Sequence, residues 1–284
     1  MWTRVNTGEK RVWPPSHFRA SLLALILLLA TQFVRVPAGD YWVGERGHPR
    51  NPLRKVHLRS YEIGVTEVTN AQFARFIAAT GYRTDAEKKG FGMTSTEGMD
   101  DWDWNSTPGA HWRHPFGPDK PGIVGQDDFP VTQISSNDAQ AYCRWAGGRL
   151  PSVEEWEVAA RAGHKRDHHP ELGETPRYPW GDEWMPKRAN NWQGSHHKNT
   201  MEDGYLYTAP VAQFPPNEWG LYDVIGNVFE YCTDSTAPGQ GVGRGGSWWC
   251  SEGTCSFFNL IDVGRMSASG SLSNQGFRMV REVR

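Results

Sequence analysis

The chain has 284 residues, and its 30 Lys and Arg nearly balance 32 Asp and Glu, which leaves no basic field for nucleic acid or an anionic membrane surface. Fourteen Trp, 31 Gly and 19 Pro with few long apolar runs argue against a helical bundle or a parallel-sheet fold, which need longer periodic segments. Four cysteines are too few to scaffold a chain this long, and its length suffices for a buried core.

Arg4, Lys10, Arg11 and Arg19 precede an apolar run from Ala20 to Ala30. That run is too short to span a bilayer comfortably and matches the apolar core of a secretory signal. Its basic flank predicts that the following chain crosses the membrane. Residues 1–32 are therefore expected to be a signal peptide cleaved near Ala30, or an uncleaved N-terminal membrane anchor. No cysteine directly follows the run, which argues against a bacterial lipoprotein anchor. Residues 33–284 show no linker, composition break or repeat, and read as one extracytoplasmic domain.

From Phe33 to Gly44 the pattern predicts a strand, a turn over residues 37–40, and a second strand. Val56–Leu58 and Tyr61–Val65 read as further short strands. Thr69 or Asn70 caps a helix from about Ala71 to Ala79, ended by Gly81, with Phe73, Phe76 and Ile77 on its core face. Residues 82–128 lack periodicity but carry Trp102, Trp104, Trp112 and Phe116, and read as a long structured loop. Ser136 or Asn137 caps a second helix, Asp138–Ala146. Ser152 and Glu155 form a capping box opening a third helix, which closes at Gly163. Trp145, Leu150 and Trp156 are expected in the core. The pairs His168-His169 and His196-His197 read as solvated loop residues.

The chemistry concentrates in Arg244-Gly-Gly-Ser-Trp-Trp-Cys250-Ser-Glu-Gly-Thr-Cys255. Gly245 and Gly246 let the backbone turn or pass close to another group. In an extended segment Trp248 and Trp249 would lie on opposite faces. Cys250 and Cys255, five residues apart, suit either a small-loop disulfide or a soft-metal site, two thiolates matching the low coordination number of Cu(I).

This stretch resembles the active-site run of the formylglycine-generating enzymes, the sulfatase-modifying factors. Further blocks carry the resemblance: Trp112 to Asp119, Ala141 to Glu157, Tyr178 to Asp182, Asn191-Trp-Gln-Gly194, Gly226-Asn-Val-Phe-Glu230 and Ser273-Asn-Gln-Gly-Phe-Arg278. It implies an irregular α+β fold similar to C-type lectins, with small sheets and few helices. The implied activity is oxidation of a peptidyl cysteine to Cα-formylglycine with dioxygen and Cu(I), in an unfolded or peptide-like protein substrate such as a sulfatase. Cys250 and Cys255 would be the catalytic copper ligands and Ser247 the active-site serine. Two structural Ca2+ ions are also implied. The first would be held by Asn190, Asn191, Asp203 and Tyr205, with Asn191 and Tyr205 acting through their carbonyls. The second would use Asp223 and Glu230 with the carbonyls of Gly226 and Val228. In vertebrate members a cysteine at the place of Cys143 pairs with one just after Gly-Phe-Arg, where this chain has Met279. Cys143 therefore reads as a buried hydrophobe or a partner of Cys232.

One segment departs from the family. Where it usually carries Asn-Arg-Tyr-Arg after the second cysteine, this chain has Ser256-Phe-Phe-Asn-Leu-Ile-Asp-Val-Gly-Arg265. The change implies an altered peptide groove and a relaxed or different peptide substrate. A non-catalytic binding module on the same fold, with Cys250–Cys255 as a plain disulfide, is the competing expectation. The iron-dependent sulfoxide synthases on this fold need an extra histidine-bearing helical domain, for which the chain has no room.

Overall fold

The computed structural model describes residues 31–100, 103–162, 176–195, 198–233, 239–251, 255 and 257–283. The signal segment and the two His-His pairs lie outside them.

Strands β1 (Phe33–Val36) and β2 (Gly39–Val43) form where the alternation places them. They do not pair with each other. Pro37 and Ala38 redirect the chain, and β2 pairs with β3 (Arg54–Leu58) in a separate two-stranded sheet. β1 pairs with β4 (Tyr61–Gly64), bringing Val34 opposite Ile63. Pairing follows the buried partners each strand finds, which local alternation does not encode.

Helix α1 (Asn70–Thr80) is capped by Thr69, whose hydroxyl accepts from the Gln72 N–H while the Gln72 side chain accepts from the Thr69 N–H. Gly81 ends it in the left-handed region at φ 66°. The stretch expected as a loop contains a short helix, α2 (Asp85–Lys89), closed by a Thr84–Glu87 capping box, and a paired β5 (Phe91–Thr94) and β6 (Asn105–Pro108). Elements of four or five residues are too short for periodicity to register.

Helix α3 (Ser136–Trp145) begins one residue earlier than expected from a Ser136 cap. Ser135 is the cap, because Asp138 three residues on closes the box. Trp145, at the last residue of α3, is 42% exposed rather than buried, with its ring against Phe76 and Tyr142. Helix α4 (Val153–Ala160) opens on the expected Ser152–Glu155 box and stops before Gly163.

After the minimal pair β7 (Gly194–Ser195) and β8 (Lys198–Asn199) come β9 (Phe229–Cys232), β10 (Gln240–Arg244), β11 (Gly264–Ser267) and β12 (Gln275–Gly276). They form a sheet of order β11-β10-β9-β12, with β12 parallel to β9. The closing strand β13 (Val280–Glu282) joins β4 at the other end of the chain. Between these sheets and the helices, Ile63, Phe73, Trp112, Tyr142, Leu150, Trp156 and Phe277 form the main core. A second cluster, Trp192, Trp248 and Trp249, packs with Trp104, Phe116, Leu206 and Tyr207 beside the cysteine segment. Among the described residues no helix is long and apolar enough to cross a membrane.

Candidate active site

β10 delivers the chain to Gly245 and Gly246, at φ 85° and 75°. A Cβ on Gly246 would sit 2.5 Å from the Phe258 Cα, so only glycine lets this turn cross the segment that follows Cys255. Beyond the glycines the chain is not extended. The Cys250 N–H donates to the Ser247 carbonyl at 2.9 Å, which folds residues 247–250 into a turn. Trp248 and Trp249 therefore point into one aromatic cluster, 5.6 Å apart and edge to face, rather than onto opposite faces.

The turn brings three of the expected residues together. Ser247 Oγ lies 3.8 Å from Cys250 Sγ, and Cys250 is disulfide-bonded to Cys255 with their Cα atoms 4.4 Å apart. All three are buried. Reduction of that bond leaves two adjacent thiols, a donor pair whose thiolates suit a soft, low-coordinate cation. Sequence reasoning missed Asn274, whose Nδ2 donates to Ser247 Oγ at 2.9 Å. Its signal was present in the Ser273-to-Arg278 block, but spacing did not say which residue of that block turns toward Ser247.

Cys143, in α3, and Cys232, in β9, are both buried and form no disulfide with each other. Burial pushes the Cys143 thiol far up, which makes it an inert hydrophobe.

The first candidate calcium segment closes around Asp203. Its two carboxylate oxygens accept the N–H groups of Asn191 and Tyr205, each at 3.0 Å, and burial raises its carboxyl. Asn190 turns its Nδ2 to the Tyr207 carbonyl and to Asn227 Oδ1. This loop also grips the cysteine turn, because the Cys250 carbonyl accepts from the Trp192 N–H at 3.0 Å and from Asn191 Nδ2 at 3.3 Å. The gathered amide, carbonyl and carboxylate oxygens are of the kind calcium takes.

In the second segment Glu230 is already engaged. Arg278 forks onto both its oxygens at 2.6 Å, and the Trp156 indole N–H adds 2.8 Å. Asp223 Oδ2 accepts the Ala212 N–H at 2.7 Å. Sequence reasoning also missed Glu67, which is buried, accepts from Asn227 Nδ2 at Oε1, and has no hydrogen-bond partner on Oε2 among the described residues. Three buried carboxylates thus surround one buried guanidinium. Burial first, then their mutual repulsion, pushes Glu67 well up and Asp223 up to about 7. A divalent cation there would favour the ionised forms of Glu67 and Asp223, whereas the Glu230 carboxylate is already held by Arg278.

The segment that departs from the family is largely interior. Phe258 and Leu260 are buried, Phe258 stacking near Tyr178 and meeting Trp184 edge-on at 5.0 Å. Carbonyls of this segment are held from below. Leu260 accepts from Arg244 Nη2 and Ile261 from Asn51 Nδ2, while both donors also bind Glu157. The replacements thus add core contacts, and Phe257, packed near Phe229 and under Arg50, is the aromatic left half-buried.

Comparison with known proteins gives the geometry a family. Residues 28–283 match the model of the sulfatase-modifying factor enzyme 1-like domain. The chain belongs to that family. It is 38% identical to the formylglycine-generating enzyme of Streptomyces coelicolor, the match covering 88% of each chain. It is 36% identical to the mouse formylglycine-generating enzyme across 88% of this chain and 75% of that one. A bovine protein named inactive Cα-formylglycine-generating enzyme 2 is 37% identical, over 76% and 75% of the two chains. Among solved structures, PvdO from Pseudomonas aeruginosa aligns with a TM-score of 0.63 at 22% identity, covering 90% of this chain and 95% of that one. CarF aligns at 0.59 and 23% identity, covering 90% and 100%. These two share the fold: mixed, low in regular secondary structure, with small sheets and few helices.

Proposed function

We propose that this family member oxidises a peptidyl cysteine to Cα-formylglycine in a sulfatase or related protein substrate, using dioxygen and a Cu(I) ion held by Cys250 and Cys255. The observation that carries the reading is the convergence of Ser247, Cys250, Cys255 and Asn274 at one buried place. The relatives named formylglycine-generating enzyme support it.

The reaction removes a Cβ hydrogen and the thiol hydrogen of the substrate cysteine, two electrons and two protons in all. Dioxygen takes these up as peroxide, or as water when an external thiol supplies two more electrons. Water then hydrolyses the thioaldehyde, releasing sulfide. Bound copper supplies the activation of dioxygen that no side chain provides. The chain's own residues set the stage. Gly245 and Gly246 permit the turn, and Asn191 and Trp192 fix the Cys250 carbonyl. Asn274 orients the Ser247 hydroxyl, which stands beside the Cys250 sulfur. Trp192, Trp248 and Trp249 wall the site and keep water off the sulfur ligands. The cysteines must be reduced and deprotonated to hold the metal, so copper affinity falls with acid.

A synthetic Cys-x-Pro-x-Arg peptide incubated in air with reduced, copper-loaded protein is expected to gain the aldehyde by mass spectrometry, and Cys250→Ser to abolish this. A second reading, a non-catalytic module, draws support from the Cys250–Cys255 disulfide and from the relative named inactive. Cu(I) titration separates the two. One equivalent bound by the reduced protein, lost in Cys250→Ser, supports the oxidase; no binding after reduction supports the module.

Calcium belongs to the same proposal, with Asn190, Asn191, Asp203 and Tyr205 around one ion. The second set, Asp223, Gly226, Val228 and Glu230, fits less well, because Arg278 occupies both Glu230 oxygens. Saturating Ca2+ at about a hundred times Kd stabilises by about 2.7 kcal/mol. The melting temperature in Ca2+ is thus expected to exceed that in chelator by about 5–10 °C. Asp203→Ala should remove part of the gain, and equal melting temperatures in both buffers would refute calcium binding.

A further inference from the structure

A cleft of about 580 Å³ opens beside Phe116 and Tyr207, the rings that pack on Trp248. Phe116, Phe129 and Tyr207 form its walls with Pro121 and Ile123 at the rim, and Ser273 lies on its floor. Phe116 and Tyr207 pack together with ring centroids 4.4 Å apart, and Tyr207 meets Trp248 edge-on at 5.0 Å. The volume is that of a ligand site, and the lining mixes rings and prolines with polar residues, Asn70, Glu97, Lys120 and Gln126 among them.

Two features tie the cleft to a ligand and to the reaction centre. Asn70 Oδ1 and Ser273 Oγ, both on lining residues, are buried and have no hydrogen-bond partner among the described residues. Buried polar atoms are normally satisfied, so a pair of exceptions in one cleft marks the place for an outside donor and acceptor. The floor is also continuous with the cysteine turn. The Ser273 carbonyl accepts the Trp248 indole N–H at 3.2 Å, and the next residue, Asn274, holds Ser247.

We propose that this cleft is a second docking site for the polypeptide substrate, taking an extended apolar stretch rich in proline or aromatic residues beside the segment that carries the target cysteine. The inference rests on the proposed activity for the identity of that polypeptide. An extended peptide offers an N–H and a C=O at every residue, which suits one acceptor and one hydroxyl on the floor. Its flat proline and aromatic side chains suit walls of rings, the recognition used by aromatic-lined grooves for extended proline-rich segments. The cleft's Phe116, Tyr207 and Ser273 each touch Trp248, so a chain seated there lies one side chain away from the wall of the reaction centre.

The test uses two fluorescein-labelled peptides in which serine replaces the target cysteine, so that binding is read by anisotropy without copper or turnover. One carries the Cys-x-Pro-x-Arg core alone; the other adds a short Pro-Leu-Phe-rich extension, made at either end. The extended peptide is expected to bind about tenfold more tightly than the core, as one anchored aromatic provides. Pro121→Glu and Ile123→Asp, each confirmed folded by thermal melting, should bring its affinity down to that of the core. Equal affinity of core and both extended forms overturns the proposal, as does an advantage that both variants leave intact. Failure of the aldehyde assay with the core peptide would instead count against the activity, and leave this binding difference to be read separately.

Discussion

Replacing Glu157 by alanine is expected to lower the melting temperature by about 10 °C, from a loss of about 3–5 kcal/mol. Glu157 is fully buried in α4. Its Oε1 accepts from the Gly44 N–H at 2.6 Å and from Arg161 at 2.8 Å, and its Oε2 from Asn51 at 2.8 Å and Arg244 at 2.9 Å. Arg244 has no exposure, and its Nε and Nη1 have no hydrogen-bond partner; the Trp156 ring lies 5.0 Å below its guanidinium. Removing Glu157 strands that charge in the interior. Because Arg244 and Asn51 also hold the carbonyls of Leu260 and Ile261, the segment leading away from Cys255 should loosen as well. Thermal unfolding checks this, and a shift under 2 °C would sink the argument. A Glu157→Leu, Arg244→Met double variant should recover most of the loss, since a well-packed apolar pair replaces a buried ion pair at little cost.

The same group gives a pH dependence. Burial by itself would raise the Glu157 carboxyl, but Arg161 and Arg244 more than offset it and hold the group below its usual range. A depressed folded pKa means stability that is present above the unfolded value near 4.5 and is lost as pH falls through the folded value. Acid should therefore destabilise the wild type more than the Leu/Met variant.

Ser247→Ala is expected to slow peptide conversion by about a hundredfold, the scale of one hydrogen-bonding group removed from a reacting centre. Copper titration should still give one equivalent, because both sulfurs remain. Asn274→Ala should cost about tenfold, since it removes one hydrogen bond that orients the serine. The double variant should be no worse than Ser247→Ala alone, because Asn274 acts through the hydroxyl. An additive double effect would show that Asn274 acts on the substrate or metal directly, and an unchanged rate in Ser247→Ala would remove the serine from the mechanism.

Local signals were legible wherever local chemistry settles the outcome. The Thr69 and Ser152 capping boxes, Gly81 and the alternation in β1 to β4 act within a few residues, and the elements stand where those signals lie. The closeness of Cys250 and Cys255 was readable from their five-residue spacing, and Ser247 was set beside them by the resemblance rather than by the spacing.

What lay beyond the sequence was every relation between distant segments. The pairing of β1 with β4 and of β2 with β3, the exposure of Trp145, and the interior position of Phe258 and Leu260 depend on which surfaces meet when the chain collapses. Asn274 reaches Ser247 across 27 positions, and Glu67 meets Asn227 across 160. Such contacts leave no periodic trace. Sequence by itself determined the family and the helix starts at Thr69 and Ser152, because those follow from neighbours in the chain. Tertiary structure decided which buried charges face one another, which residue steadies the serine and where a second cleft opens, because those follow from burial shared between segments far apart.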